Sequence, residues 1–138
     1  MSLKNKTVVI TGATAGIGWQ TALDFVREGA FVIGVGRNPQ RCVDAEKKIK
    51  SQVPEAKIQY LVADLSSQKQ VRECAKEVAS TLKDNHREAL DILVNNAGVY
   101  MGQKTLTEDR IETTFAVNHL APFLLTHLLL PLLEKSPV

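Results

Sequence analysis

The apolar residues of this chain fall into short runs that alternate with longer stretches of helical spacing. Apolar runs such as residues 7–10 and 31–35 are typical of strands that are buried on both faces of a sheet. Between such runs, apolar residues recur every three or four positions, as at Val71, Cys74 and Val78, and this spacing predicts amphipathic helices. We therefore predict strands at residues 6–11, 31–35, 57–63 and 90–95, and helices at residues 16–28, 39–52, 67–84 and 107–134.

The alternation of strand and helix indicates right-handed βαβ crossovers and a parallel sheet. We predict a doubly wound, Rossmann-like α/β fold in one dinucleotide-binding domain over residues 1–138, with strand order 3-2-1-4 and no fifth strand. In such a sheet, ligands bind at the carboxyl ends of the strands, at the switch point between strands one and four. The turns at residues 11–18 and 95–98 should meet there.

Composition adds mainly exclusions. A net charge of +2, with scattered basic residues, gives no reason to expect nucleic-acid binding. Cys42 and Cys74 lie within helical patterns, and we expect reduced, buried thiols. His86, His119 and His127 have no neighbouring cysteine or suitable carboxylate in the sequence, so we expect no metal site.

The ends of the chain raise the question of targeting. Residues 1–6 run directly into the first strand, so we expect no signal peptide and a cytoplasmic location. The most apolar stretch, residues 120–133, is shorter than the roughly 20 residues of a membrane span and predicts a buried helix instead. Glu108 and Asp109 are expected in the first turn of that helix, where carboxylates stabilise a helix N-terminus.

A glycine-rich turn follows the first strand, where residues 11–18 read TGATAGIG. Gly12 would permit the tight turn, Gly16 would let the backbone approach a pyrophosphate, and Gly18 would let the helix pack closely. The N–H groups at the start of the helix could hold a phosphate. Taken alone, the motif also fits a turn without a ligand.

Strand four ends in NNAG, residues 95–98. Asparagine side chains tie loops to the backbone, and Gly98 permits close approach of another group. Two asparagines that simply close a turn are the structural alternative. The position of the motif opposite Gly12 favours a functional role.

In combination these motifs resemble the short-chain dehydrogenase/reductase family. The resemblance covers essentially the whole chain and also rests on ADL at residues 63–65 and on Val117 and Asn118 in the last helix. Residues 36–39 (GRNP) and 118–126 (NHLAPFLLT) are most similar to the retinol-dehydrogenase-like branch. Ala121 departs from the glycine that is usual in that branch.

The resemblance implies a cofactor-binding part of an enzyme that interconverts an alcohol and a carbonyl by hydride transfer. Asp64 would bind the adenine amino group, although it could instead cap the third helix. The implied cofactor contacts are Gly12, Thr14, Ala15, Gly16, Ile17 and Gly18 around the pyrophosphate, Asp64 and Leu65 at the adenine, Asn95 at the adenosine ribose, and Ala97 and Gly98 in the same turn.

The end of strand two distinguishes NAD from NADP in this family. NAD-binding members carry an acidic residue that accepts from the ribose 2′-hydroxyl, whereas here Gly36 is followed by Arg37. A guanidinium can pair with a 2′-phosphate, and Asn38 and Arg41 would add contacts. We predict NADP rather than NAD. The alternative is a solvated arginine, and Ala15 replaces a basic residue that many NADP-binding relatives carry.

The family's catalytic Ser–Tyr–Lys set is not found in these 138 residues. Tyr100 and Lys104 have the right spacing, but Gly102 lies between them and no helical pattern surrounds them. Asn118 matches the family's fourth catalytic member, which organises a water near the lysine. We therefore predict that the chain ends before strand five, is the N-terminal part of a reductase and has no turnover alone.

Two other interpretations stay open. One is a non-catalytic NADP(H)-binding or regulatory module. The other is an interaction protein that docks through its Leu-rich last helix and the open edge of strand four, without nucleotide; a homo-oligomer formed through that helix is a related expectation. The substrate would be a small alcohol or carbonyl compound, and the retinol-like resemblance favours a hydrophobic one.

Overall fold

The computed structural model describes residues 3–137, so the expectation about a signal peptide falls partly outside the described residues. Strands and helices alternate as predicted up to residue 94. The elements are β1 (Thr7–Thr11), α1 (Gly16–Arg27), β2 (Phe31–Gly36), α2 (Pro39–Gln52), β3 (Ile58–Val62), α3 (Gln68–Asp84), β4 (Ile92–Val94), α4 (Thr113–Phe115), a π-helical turn (Ala116–Leu120) and α5 (Ala121–Leu133).

The sheet has the order β3-β2-β1-β4, and all three strand pairs are parallel. This confirms the predicted doubly wound topology. Side chains alternate across a strand, so successive β1 residues pack into the cores on opposite faces of the sheet. Val8 packs in the cluster with Leu23 of α1, whereas Val9 packs with Val78 of α3 and Leu125 of α5. Helices therefore cover both faces of the sheet, and β4 lies at its edge.

The two cysteines are buried and free, as predicted. Cys42 packs under the end of β2, and Cys74 lies within the core between α3 and α5. Burial raises the pKa of the Cys74 thiol to about 12, and nearby Glu77 adds to the shift. Both thiols therefore behave as apolar core groups.

The last helix begins later than predicted, at Thr113 rather than residue 107. Thr107 does not cap a helix. Its hydroxyl accepts from the N–H groups of Asp109 and Ile111 and closes a local turn, which a single bridge between Leu106 and Glu112 completes. Glu112 is the residue that caps the helix, because its carboxylate accepts from the N–H groups of the first turn.

Glu108 and Asp109 are therefore not first-turn residues of the last helix, and that prediction was wrong. They lie against the N-terminus of α3 instead. The Ser67 hydroxyl donates to Glu108, and the Gln68 N–H donates to Asp109 Oδ2 at 2.8 Å. The carboxylates still stabilise a helix N-terminus, but that helix lies about 40 residues earlier in the chain.

The last helix is shorter than the predicted residues 107–134 but longer than its apolar stretch, residues 120–133. Residues Thr113–Leu133 form 21 continuous helical residues with a mean hydropathy of 1.5, which meets the length and composition of a membrane span. Only 28% of its most apolar part is buried, so the predicted buried helix is buried only along the face that carries Ala121, Leu125 and Leu129. Taken alone this is weak evidence for a membrane span, since core helices meet the same criterion.

The amino-terminal edge of the sheet is held by Asp91. Its carboxylate accepts from the Thr7 N–H at 2.8 Å, from Lys6 Nζ at 3.0 Å and from Ser136 Oγ at 2.7 Å. The Asp91 side chain is only 8% exposed. Burial by itself would raise the pKa of Asp91, but these hydrogen bonds and the Lys6 charge outweigh it and lower the pKa.

Candidate functional site

The turn after β1 and the turn after β4 meet at the carboxyl end of the sheet, as the strand order predicts. They border an open crevice at the switch point of the sheet, which lies between β1 and β4. The residues that line it are Gly12, Thr14, Val35, Gly36, Arg37, Ala63, Asp64, Leu65, Ala97, Gly98, Val99 and Val117.

Gly12 and Gly18 are close-packed within this site. Gly12 has φ +66°, and a Cβ there would lie 2.9 Å from the Cα of Ala97. A Cβ on Gly18 would lie 2.2 Å from the Gly12 carbonyl oxygen and 2.4 Å from Asn96 Nδ2. The first helix, the turn and the NNAG segment therefore fit together without space for a methyl group.

Asn96 is the asparagine that joins the two turns. Its Nδ2 donates to the carbonyls of Thr11 at 3.0 Å and Gly12 at 3.2 Å. In return, the Thr11 hydroxyl accepts from the N–H groups of Asn96 and Ala97. This is the loop-tying contact expected of an asparagine in NNAG, and it falls to Asn96.

Asn95 faces the other way. Its Nδ2 donates to Thr126 Oγ1 at 3.0 Å, and the residue lines a separate groove along α5 rather than the crevice. Neighbouring residues at the end of a strand point to opposite faces, so Asn95 and Asn96 reach different neighbours. The Asn95 side chain does not line the crevice, and its contact with a ribose stays a prediction.

The N-terminus of α1 carries no side-chain cap, in contrast to α2 and α3. Ala15 occupies its N-cap position, whereas Asn38 caps α2 and Ser67 caps α3 through their side chains. The first N–H groups of a helix have no intrahelical acceptor. Gly16 has φ +55° and open space where a side chain would stand, and Ile17 is exposed. This end of the helix is free to receive an anion.

The end of β2 has little space for an acidic residue. A Cβ on Gly36 would lie 2.4 Å from Thr14 Cγ2 and 2.9 Å from Cys42 Sγ. Arg37 follows at the crevice edge and is exposed, and no hydrogen bond or ion pair engages its guanidinium within residues 3–137. A cation without a protein partner therefore borders the crevice.

Asn38 and Arg41 lie beside the crevice rather than in it. The Asn38 side chain accepts from the Arg41 N–H at 2.9 Å, so it serves as the cap of α2. Arg41 lines an adjacent groove together with Thr14, Ala15 and Gly16 of the glycine-rich turn. Thr14 borders both cavities and separates them.

Asp64 lines the crevice without capping α3, so the capping alternative was wrong. Its Oδ1 accepts from the Ser66 N–H at 2.9 Å, and Ser67 provides the cap. Its own N–H donates to Gln70 Oε1 at 2.9 Å. These bonds fix the turn after β3 and hold the carboxyl group at the crevice wall.

Asn118 lies in the π-helical turn between α4 and α5. Its side-chain amide makes two hydrogen bonds of 2.8 Å to the backbone of Val99, one from Nδ2 to the carbonyl and one from the N–H to Oδ1. Such turns often occur at functional sites. Asn118 thus fixes the segment after NNAG, and its place in catalysis stays a prediction.

Tyr100 and Lys104 lie in a segment without helical structure, as predicted. Tyr100 is 88% exposed. Four-residue spacing brings two side chains to one face only in a helix, so this pair cannot form the family's Tyr–Lys arrangement. Among the described residues, no group of three or more His, Cys, Asp or Glu side chains is arranged to hold a metal ion.

Comparison with known proteins is consistent with this geometry. The sequence profile of the short chain dehydrogenase family matches residues 6–137. The chain belongs to this family. Human retinol dehydrogenase 13 is 41% identical over 135 residues, which are 98% of this chain and 39% of that protein. The chain therefore lies in the retinol-dehydrogenase-like branch of the family, as predicted.

Other proteins similar to this chain come from plants and bacteria. The chloroplastic short-chain dehydrogenase TIC 32 A of Brassica napus is 41% identical and covers 96% of this chain and 40% of that protein. The structure of the Pseudomonas aeruginosa RhlG/NADP active-site complex superposes with a TM-score of 0.82, at 29% identity, over 99% of this chain and 51% of that one. The chain thus spans about two fifths of the length of these curated relatives.

Proposed function

We propose that the crevice binds NADP(H) and that the chain supplies the cofactor site of an enzyme that interconverts an alcohol and a carbonyl. The observation that carries the proposal is the uncapped N-terminus of α1, with Gly12 and Gly16 both at positive φ, facing the turn after β4. Backbone N–H groups in this arrangement suit a diphosphate. The fit is consistent with a family whose members use nucleotide cofactors.

The preference for NADP(H) over NAD(H) rests on the end of β2. A carboxylate at position 36 would crowd Thr14 and would repel a 2′-phosphate, whereas the unpaired Arg37 guanidinium could bind it with a forked pair of hydrogen bonds. When bound, NADPH supplies the hydride. The residues of this chain would bind and orient it. The glycine-rich turn would bind its diphosphate, Arg37 would bind its 2′-phosphate, and Asp64 would bind its adenine.

Titration of the purified 138-residue chain with NADPH and with NADH tests both parts of the proposal. We expect heat from NADPH and roughly tenfold or more weaker binding of NADH, since one charge-assisted hydrogen bond contributes about 1.5–3 kcal/mol. Arg37→Gln should remove most of that difference in affinity, because it should weaken the binding of NADPH and leave the binding of NADH unchanged. Arg72→Gln, at an exposed position on α3, is the matched control and should leave both affinities unchanged.

The outcomes separate the two parts. If neither nucleotide gives heat or a thermal upshift with folded protein, the crevice is not a nucleotide site. If NADPH and NADH bind with equal affinity, both to wild type and to Arg37→Gln, then Arg37 does not select NADPH. The crevice would still be a nucleotide site.

A non-catalytic nucleotide-binding module is the second candidate. Within the part of the chain that the structure describes, the Tyr100–Lys104 segment lacks the helix that a catalytic pair needs, so these two residues do not supply that pair. For the 138 residues themselves we expect NADPH binding without carbonyl reduction. Turnover of NADPH with a hydrophobic ketone by this chain would contradict that expectation.

A further inference from the structure

Tyr60 contacts the glycine-rich turn from two strands away. It lies on β3, yet its hydroxyl donates to the Ala13 carbonyl at 2.7 Å. Ala13 is fully buried, and its own N–H donates to the Val35 carbonyl at 3.2 Å. Both backbone polar groups of this turn residue are therefore held by the neighbouring strands.

The reach of Tyr60 depends on Gly34. Gly34 is the register partner of Tyr60 in the β2–β3 pair, and the phenol ring lies across it. A Cβ on Gly34 would stand 2.5 Å from Cε1 of that ring. The φ of Gly34 is not positive, so the glycine is needed here for space and not for backbone conformation.

The turn is fixed from the opposite side by a different residue. Asn96 Nδ2 binds the carbonyls of Thr11 and Gly12, while Tyr60 binds the carbonyl of Ala13. Consecutive carbonyls are thus engaged by a side chain from the turn after β4 and by one from β3. Burial raises the pKa of Tyr60, so the hydroxyl stays protonated and remains a donor.

We infer that Tyr60 is a positioning residue for the phosphate-binding turn. By holding the Ala13 carbonyl against β2 and β3, it fixes the path of residues 12–16 and so preorganises the free N–H groups at the start of α1. The expected effect on ligand affinity rests on the proposed function, because a preorganised turn strengthens binding only if the crevice binds a nucleotide. The expected effect on the turn in the free chain does not rest on it.

Tyr60→Phe tests the inference, because it removes the hydroxyl and keeps the ring over Gly34. In the free chain we expect faster hydrogen exchange at the Ala13 amide, whose N–H donates to the Val35 carbonyl, while exchange elsewhere in the sheet stays unchanged. For NADPH we expect a three- to tenfold larger dissociation constant, which is about what one neutral hydrogen bond contributes. Tyr100→Phe, at the 88% exposed tyrosine, is the matched control and should change neither quantity.

Gly34→Ala provides a second route to the same state, since the added methyl group must displace the ring. Faster exchange at the Ala13 amide should appear again, and adding Tyr60→Phe to this variant should change little further. Non-additivity of this kind would show that both substitutions act through one contact.

The results distinguish this inference from the proposed function. If wild type does not bind NADPH, the proposed function fails, and exchange in the free chain alone decides the role of Tyr60. Unchanged exchange at the Ala13 amide in Tyr60→Phe would overturn the inference, as would faster exchange spread evenly over the sheet. Exchange that rises only in the turn, with weaker NADPH binding, would support both.

Discussion

Gly18→Ala should abolish nucleotide binding and lower the free energy of unfolding by about 3 kcal/mol. The added Cβ would stand 2.2 Å from the Gly12 carbonyl oxygen and 2.4 Å from Asn96 Nδ2. Neither atom can withdraw freely, because Asn96 is bonded to the carbonyls of Thr11 and Gly12. The gain in helix propensity from Gly to Ala is at most about 1 kcal/mol and does not offset the clash.

Urea unfolding and NADPH titration measure the two effects of Gly18→Ala. Gly102→Ala is the matched control, because a Cβ there meets no atom within 4 Å and the backbone has no positive φ. It should unfold and bind as wild type does. A Gly18→Ala protein of wild-type stability would contradict the close packing of α1 against the turn.

Gly16→Ala separates binding from folding. The residue has φ +55°, so the substitution costs about 1 kcal/mol, but its side chain would project into open space. The protein should therefore fold and yet bind NADPH roughly tenfold more weakly or worse, a loss of about 1.4 kcal/mol. Wild-type affinity in folded Gly16→Ala would place the nucleotide elsewhere.

The fold was predictable where one local signal decides the structure. Apolar runs predicted β1 to β4, and helical spacing predicted α1 to α3. The strand order followed from the doubly wound class of fold that this alternation indicates. The crevice followed from the strand order, since it lies where the first and last strands meet.

The segment before the last helix was not predictable, because its partner is distant. Acidic residues beside an apolar helix usually belong to that helix, yet Glu108 and Asp109 bind Ser67 and Gln68. The N–H groups at the start of α3 were available to them, and Glu112 was available to cap the nearer helix. Two helix ends competed for the same carboxylates, and only the tertiary structure decides such a competition.

The site was predictable by segment and not always by residue. NNAG marked the correct turn, but a choice between Asn95 and Asn96 needs the strand's register, and a shift of one residue exchanges the two faces. Tyr60 gave no signal, since its partner Ala13 is 47 positions away. Gly34 was the available hint, because a glycine within an apolar strand often marks a close approach.

Asp91→Ala should lower the free energy of unfolding by about 3 kcal/mol. The side chain is 8% exposed and accepts hydrogen bonds from Lys6, Ser136 and the N–H of Thr7. Thr7 is 1% exposed, so its N–H would lose its partner in a place that water reaches poorly. Because Asp91 is at the end of the sheet opposite the crevice, we expect NADPH affinity of the folded protein to stay unchanged.

The same contacts make stability depend on pH. The pKa of Asp91 is lowered on folding, so its contribution is complete above the unfolded-state value of about 4 and is lost as the pH falls toward the lower, folded-state pKa. Wild type should therefore lose stability steeply below about pH 4. In Asp91→Asn this part of the slope should be absent, because no proton is taken up at this position on unfolding.

Asp84→Ala is the control for both measurements, because Asp84 is exposed at the end of α3 and makes no ion pair within residues 3–137. It should keep the stability of wild type at pH 7 and its steep loss in acid. Parallel acid curves for wild type and Asp91→Asn would show that other carboxylates carry the dependence. That result would make Asp91 one hydrogen-bonded acceptor among several. If its charge holds β1, β4 and Ser136 together, protonation of Asp91 must lower the free energy of unfolding.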